Sequence, residues 1–436
     1  MRSSRWSMML CLLVAAPAAA QPAMERLTFD VAIERAVTRH PTVEQAAAGI
    51  LRAQAILQQV GSASFPSVDA TVRSTTIGPV PEFGAETIVP RTQVNAAASL
   101  VVPLLVPVRW AERAQARDQV FVAERGAADV RRQIAVAAAQ AYLAIIAERR
   151  VLESITRARD TARAHFEYAR QRLEGGVGSR LNALRAQQEL SGDEARVEVT
   201  LLAVRRAQEA LGVLIAGEGP VDAAGEPAFD IPAELLGAEA ATPEVSGAAA
   251  GGSGGWLLER ADVRLLNAQV SAAERVLSDA WKNYLPEVSG FVGPQVLTPS
   301  GLFAPAHSWS AAVLFSVPVF DAGARRGITR ERRALLDTVR AERSLVERRA
   351  RAEVRIAGEA IRSNERALAQ ARAAAEQANE VVRITDVAFR AGATTNIEVI
   401  DAQRRARDTE TAAAVAEHEL RRARLELLVA AGRFPG

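Results

Sequence analysis

The chain has 436 residues, of which 49% are hydrophobic and only 5% aromatic, and its formal net charge is +2 at pH 7. The basic residues are almost all arginine, and no basic cluster is interleaved with aromatic residues, so a nucleic-acid partner is not expected. Alanine and arginine dominate, a composition typical of long helices. The four histidines (His40, His165, His307 and His418) are scattered without ligand spacing, and we expect neither a metal site nor a cofactor.

Residues 1–20 have the pattern of a secretory signal peptide. Arg2 and Arg5 precede an apolar run, and small residues up to Ala20 supply a cleavage site. Cys11, the only cysteine, lies inside this segment, so the mature chain is predicted to contain no thiol and no disulfide. No apolar stretch of about 18 residues follows, so no transmembrane helix is expected.

The first half of the mature chain, residues 21–216, alternates between helical and strand patterns. We predict a short helix, a pair of strands between Pro66 and Pro103, a long helix and a returning helix; the three helices cover about 42–61, 108–174 and 180–215. A helix of about 65 residues is roughly 100 Å long, which indicates a coiled coil or helical barrel. The two short helices together match the long one in length, so we expect them to lie end to end along it.

The strand segments alternate polar and apolar residues. Ser67–Arg73 shows this pattern, and Trp309–Val317 places its apolar residues on one face. About ten alternating residues is the length of a tilted strand in an outer-membrane barrel, while ordinary sandwich strands are the alternative. Aromatic residues that fit a membrane-interface girdle gather nearby: Phe65, Trp110, Trp281, Tyr284, Phe291, Phe303, Trp309, Phe315 and Phe320. Four strands cannot close a barrel, so we expect at least three copies and twelve strands.

The second half repeats the first. Residues 217–256, rich in Gly, Ala, Pro and Glu, are predicted to be a surface linker, and residues 257–436 form the second repeat. At an offset of 216, Gly176 falls on Gly392 and Leu211 on Leu427, which indicates duplication of one large unit. The second set of helices is predicted at about 261–283, 327–391 and 396–431.

Each long helix carries apolar or small residues in steps of three and four, which is a heptad seam. The first seam runs from Leu152 to Leu173 and is interrupted by one charge, Arg159. The second runs from Leu368 to Phe389, with Ala375 where the first has Arg159. The predicted fold class is therefore mainly α with β: duplicated coiled-coil hairpins that form an α-barrel, plus four membrane strands per chain.

Five motifs occur in the order of a known family: His40-Pro41, Phe65–Val68, Leu285–Val288, Pro318–Gly323 and Gly392–Ala402. With the signal peptide and the duplication, the mature chain resembles TolC-like outer membrane efflux proteins over essentially its whole length. The resemblance implies a homotrimer with a twelve-stranded β-barrel in the outer membrane and a helical barrel in the periplasm. Its implied partners are a periplasmic adaptor and an inner-membrane pump.

The resemblance also implies site residues. Glu398 and Asp401 match two acidic residues that face the pore constriction. Periplasmic tip and adaptor contacts fall on two turns, with the residues Gly176, Val177, Gly178, Ser179, Gly392, Ala393, Thr394 and Thr395. An arginine and a tyrosine that latch some family members are replaced here by Thr394 and Phe389.

Each assignment has a structural alternative. Glu398 and Asp401 lie where acids complement the dipole at a helix N-terminus, and the glycines supply turn conformations. Gly251–Gly255 matches a nucleophile motif but lacks the strand and helix that the motif needs, so no enzymatic activity is expected. We expect an exit duct for efflux; the alternatives are the exit duct of a type I protein secretion system and a periplasmic coiled-coil adaptor or scaffold without a pore.

Overall fold

The computed structural model describes residues 24–79, 82–83, 86–232, 255–301 and 303–434. The predicted signal peptide and residues 233–254 of the predicted linker lie outside the described residues. In chain order the elements are β1 (Arg26–Leu27), α1 (Phe29–Arg39), α2 (Pro41–Ser62), β2 (Ser67–Thr76), β3 (Glu82–Phe83), β4 (Glu86–Thr87), β5 (Thr92–Leu105), α3 (Pro107–Glu174), α4 (Arg180–Leu214), β6 (Asp222–Ala223), α5 (Gly255–Glu259), α6 (Ala261–Ser278), a 3₁₀ helix (Asp279–Tyr284), β7 (Glu287–Thr298), β8 (His307–Ser316), α7 (Ala324–Arg390) and α8 (Asn396–Ala430).

Two very long helices form the frame. Helix α3 has 68 residues and α7 has 67, so each is about 100 Å long at a rise of ~1.5 Å per residue. Helices α2 and α4 both pack along α3, and α6 and α8 both pack along α7. The prediction that two short helices lie along each long one is confirmed. Because α3 also contacts α6 and α8, the two repeats lie side by side.

Both heptad seams are buried, and the seam of α7 packs against the returning helix α8. Ile155 and Ala162 of α3, and Leu368 and Ala375 of α7, are all buried. Small seam residues allow close approach of the helix axes. Arg159, the charged interruption, turns its guanidinium to Asp160, with Nη2 2.6 Å from Oδ1. None of the described helices combines the length and apolarity needed to span a membrane.

The four predicted strand segments form one antiparallel sheet in the order β2-β5-β7-β8. The central pairing, β5 with β7, joins the two repeats, and its register shifts between Pro103 and Leu105. Strands β2 and β8 are the two edges of this sheet. Its strands follow α2 and the 3₁₀ helix after α6, and they are followed in turn by α3 and α7, so the sheet caps one end of the helical frame.

The start of the predicted linker is part of the core rather than a surface segment. Strand β6 pairs in parallel with β1, and Val221 and Ala223 are only 4% and 1% exposed. The Asp222 carboxylate is buried beside them and accepts a hydrogen bond from Gln208 Nε2 at 3.0 Å. A two-residue strand has no measurable periodicity, so the sequence pattern did not distinguish it from a surface linker.

Candidate functional site

The strand register places apolar side chains from all four strands on one face of the sheet. Val68 lies opposite Leu100, Leu100 opposite Val292, and Val292 opposite Ala311. Directly opposed residues of antiparallel strands point to the same side, so this apolar face consists of Val68, Ala70, Val72, Val94, Ala96, Ala98, Leu100, Val102, Val288, Val292, Val296, Trp309, Ala311, Val313 and Phe315. The other face is mostly polar and includes Asp69, Thr71, Arg73, Gln93, Asn95, Ser99, Ser289, Gln295, Ser308, Ser310 and Ser316.

The apolar face is strongly exposed within the single chain. Val68, Val72, Trp309 and Val313 have 72%, 76%, 75% and 70% of their surface accessible. A contiguous apolar surface of this kind marks a contact with lipid or another protein. The exposed edges β2 and β8 additionally leave backbone hydrogen-bonding groups open to pairing with another chain.

At the opposite end of the frame, both repeats make the same helix-terminating turn. Gly176 and Gly392 have φ of +76° and +78°, a conformation that glycine adopts without strain. The amide of Val177 donates to the carbonyl of Arg172 at 3.0 Å, and that of Ala393 donates to the carbonyl of Ala388 at 2.8 Å. These are Schellman turns, and they make the two tips backbone-equivalent.

The predicted tip residues occupy these turns. Gly178 and Thr394 are half-buried and the other predicted tip residues are exposed. A Cβ on Gly178 would lie 2.6 Å from the backbone nitrogen of Leu173, so this glycine is required by a close backbone approach. Ser179 caps α4 by accepting a hydrogen bond from the Leu181 amide at 3.2 Å. Thr395 stands at the equivalent position of α8 without a side-chain cap.

Glu398 and Asp401 lie together on the exposed side of the first turns of α8. The opposite side of the helix is buried through Val399 and Ile400. Asp401 Oδ2 lies 2.8 Å from Arg405 Nη2, one turn further along the same face. These two carboxylates and this guanidinium therefore lie together, and the three residues carry a net charge of −1 per chain. Glu398 also stands in the first helical turn, so a contribution to helix stability through the dipole is compatible with the same position.

A buried ion network joins the two hairpins above the tip. Arg407 Nη1 of α8 lies 3.0 Å from Glu189 Oε1 and 2.7 Å from Asp193 Oδ1 of α4. Arg404 also donates to Glu189, with Nε 2.6 Å from Oε2. The side chains of Arg407, Glu189 and Asp193 are only 8%, 5% and 3% exposed. Sequence reasoning missed these residues, because the partners lie on two helices more than 200 positions apart.

The network keeps Glu189 ionised. Burial alone opposes ionisation of this carboxyl group, but hydrogen bonds from Arg404 and Arg407 outweigh burial and hold the pKa of Glu189 below its ordinary value. Burial likewise opposes the charge of Arg407, and the attraction of Asp193 and Glu189 raises the pKa of Arg407 despite it. Buried ion pairs thus connect the two hairpins, and removal of one partner would leave an uncompensated buried charge.

A second contact joins the hairpins nearer the tip. His165 Nε2 of α3 lies 2.7 Å from Asn396 Oδ1 of α8, and Phe389 packs against the His165 ring with centroids 5.4 Å apart. Burial lowers the pKa of His165, with Asp386 and Arg390 as the nearby charges. Phe389, the residue at the expected latch tyrosine position, therefore contributes an apolar inter-hairpin contact. Among the described residues, no cluster of His, Cys, Asp and Glu forms a metal site.

The chain thus combines long helical hairpins with an open four-stranded sheet that has one exposed apolar face. The family model for outer membrane efflux protein matches residues 32–217 and 255–433, and the chain belongs to this family. No curated protein matches the sequence significantly.

Solved structures share the fold at low sequence identity. A membrane protein from Pseudomonas aeruginosa superposes with a TM-score of 0.77 at 19% identity, covering 94% of this chain and 91% of that one. The outer membrane protein VceC from Vibrio cholerae has a TM-score of 0.74 at 17% identity, with 93% and 96% covered. The Campylobacter jejuni CmeC outer membrane channel has a TM-score of 0.76 at 13% identity, with 99% and 94% covered.

Proposed function

We propose that this protein is the outer-membrane exit duct of a tripartite efflux system. Three copies form a twelve-stranded β-barrel in the outer membrane and a helical barrel in the periplasm. Small molecules or ions enter from an inner-membrane pump through a periplasmic adaptor. Membership of the outer membrane efflux protein family supports this assignment.

The observation that carries the proposal is the exposed apolar face on an open four-stranded sheet. In a bilayer every backbone group must be hydrogen-bonded, so open strand edges are not tolerated there. Pairing the β8 edge of one copy with the β2 edge of the next removes all edges. The apolar face then lies against lipid and the polar face lines the lumen, as in bacterial barrels.

Three copies are the smallest closed assembly that leaves a conducting lumen. Four strands per chain give eight strands in a dimer, and an eight-stranded barrel is filled by its own side chains. Twelve strands provide space for solutes. The equivalence of the two tip turns also supports this assembly, because two similar hairpins per chain give six similar tips around the periplasmic entrance, where an adaptor docks.

At the entrance, Glu398, Asp401 and Arg405 form the constriction. These three residues carry one net negative charge per chain, so three copies place a net charge of −3 around a narrow passage. Such a ring attracts cations and disfavours anions. Little water separates the walls of a constriction, so screening of this charge is weak.

Planar-bilayer recordings test this pore assignment. Replacing Glu398 by Gln and Asp401 by Asn leaves Arg405 as the charged member of these three residues, which changes their summed charge in three copies from −3 to +3. We therefore expect the cation preference to be lost and to reverse toward anions. Adding Arg405→Gln to the same variant restores neutrality and should give little selectivity.

A matched control removes the same charge elsewhere. Glu331→Gln with Glu342→Gln neutralises two exposed acids near the opposite end of α7. We expect this control to keep the wild-type reversal potential. If the Glu398/Asp401 variant keeps the wild-type ion selectivity, both residues act only at the helix N-terminus. If the wild-type protein forms no channels in the bilayer, the proposal that it is an exit duct is contradicted.

A further inference from the structure

An unassigned groove lies between α2 and α3, where the helical frame meets the sheet. Its volume is about 410 Å³, and its lining includes Leu57, Gly61, Phe65, Arg113 and Arg117. The groove ends at Phe65, two residues before strand β2 begins. Its position is therefore the boundary between the strands and the helices of the first repeat.

The groove carries positive charge without a protein counter-charge. Arg113 and Arg117 are one helical turn apart and both are exposed. Neither forms an ion pair within the described part of the chain, and no carboxylate lines the groove. The Arg113 guanidinium lies over the Phe65 ring, with the ring centroid 5.6 Å from Cζ. The neighbouring Arg109, in contrast, is engaged by the carbonyl oxygen of Ala63 at 2.7 Å.

Exposed aromatic residues surround the two arginines. Trp110 and Phe121 share their face of α3, by helical spacing, and are 47% and 45% exposed. Phe65 is 57% exposed. The amphipathic indole of Trp110 is typical of the level at which lipid headgroups meet the hydrocarbon, and long basic side chains reach from such a level toward phosphate.

We infer that this groove binds an anionic phospholipid. The inference rests on the proposed function, which places the sheet in the outer membrane with the groove at its periplasmic surface. Arg113 and Arg117 hold the phosphate above Leu57 through charge-assisted hydrogen bonds, and the upper acyl chain lies over Phe65, on the side where the sheet begins. The apolar floor selects a lipid over a free phosphate ion.

Native mass spectrometry of the detergent-purified protein tests the inference. The protein is titrated with phosphatidylglycerol, and bound lipid is counted for the wild type and for Arg113→Gln with Arg117→Gln. A basic residue near an anionic lipid surface contributes about fivefold to binding, so the double variant should bind about 30-fold more weakly. Binding of phosphatidylcholine, which has no net charge, should differ between the two proteins by less than about twofold.

A matched control removes two arginines from a different surface. Arg348→Gln with Arg351→Gln on α7 removes the same charge from two exposed side chains and should bind phosphatidylglycerol like the wild type. Equal loss in both double variants, or no loss in the Arg113/Arg117 variant, would overturn the inference. Displacement of the lipid by inorganic phosphate at about 10 mM would overturn it too, because the groove would then recognise phosphate alone.

The same spectra separate this inference from the proposed function. A wild-type mass of three chains that binds lipid equally in both variants contradicts the lipid site and leaves the duct intact. A single-chain mass contradicts the duct, whatever lipid is bound. Loss of the trimer only in the Arg113/Arg117 variant would assign these arginines to contacts between chains, and it would also refute the lipid site.

Discussion

Removal of Arg407 should loosen the two hairpins from each other. Arg407→Met leaves Glu189 and Asp193 buried with one cation fewer. Breaking a buried ion pair costs about 3–5 kcal/mol. Glu189 keeps Arg404, and Asp193 keeps Arg196 at 2.7 Å, so we expect the lower end, about 3 kcal/mol. That loss corresponds to an increase of about 100-fold in the local opening equilibrium.

Amide hydrogen exchange measured by mass spectrometry reports this opening directly. Peptides from α4 around Glu189 and from α8 around Arg407 should exchange about 100-fold faster in the variant, since each decade corresponds to ~1.4 kcal/mol. Peptides from the sheet should be unaffected. The matched control is Arg405→Met, two residues away on the exposed side of α8. The ion pair of Arg405 with Asp401 is solvent-accessible and contributes about 0–1 kcal/mol. Equal exchange in the two variants would refute the assignment of the network as an inter-hairpin tie.

Three further predictions concern other parts of the chain. Burial lowers the pKa of His165 from 6.5, so the folded protein binds fewer protons at this site than the unfolded protein does. The free energy of unfolding, measured with urea between about pH 5 and pH 7.5, should therefore fall as the pH drops below 6.5. His165→Gln should flatten this fall. Gly392→Ala should lower the melting temperature, since alanine at positive φ costs about 1–2 kcal/mol, whereas Gly126→Ala inside α3 should be neutral or stabilising by up to about 1 kcal/mol. Deletion within Ala238–Gly254 should leave the assembly intact, as measured by size-exclusion chromatography. Asp222→Ala should lower the free energy of unfolding by about 1–3 kcal/mol, because buried hydrogen-bond donors lose their acceptor.

The large elements were predictable because their patterns extend over many residues. The first long helix was expected at about 108–174 and runs from Pro107 to Glu174, bounded by a proline and a glycine turn. The strand pairs were predictable from alternation over about ten residues. Helix α6 was expected to reach residue 283 but ends at Ser278, where a 3₁₀ helix continues the chain.

The elements that sequence reasoning missed depend on contacts between distant residues. Strand β6 is two residues long and is defined by its pairing with β1, and α1 precedes the first predicted helix without a long period of its own. Arg407 meets Glu189 across 218 positions of sequence. Local periodicity carries no information about such a pairing. The duplication did not reveal it either, because the network joins the equivalent returning helices α4 and α8 at positions that are not related by the 216-residue offset.

Cysteine cross-linking of the sheet edges tests the central claim most directly. The only cysteine, Cys11, lies in the predicted signal peptide, so introduced cysteines report without interference. Ala70→Cys on β2 is combined in turn with cysteine at Trp309, Ala311 or Val313 on β8. Within one chain these strands are about 14 Å apart, at ~4.8 Å per strand, which is too far for a disulfide.

The closed-barrel account predicts that oxidation of at least one pair in intact membranes gives a covalent ladder that ends at three chains on denaturing gels. Each single-cysteine variant alone should give no ladder beyond two chains. Failure of all pairs to cross-link, or a ladder that continues past three, would contradict a trimer whose β2 and β8 edges close one twelve-stranded barrel.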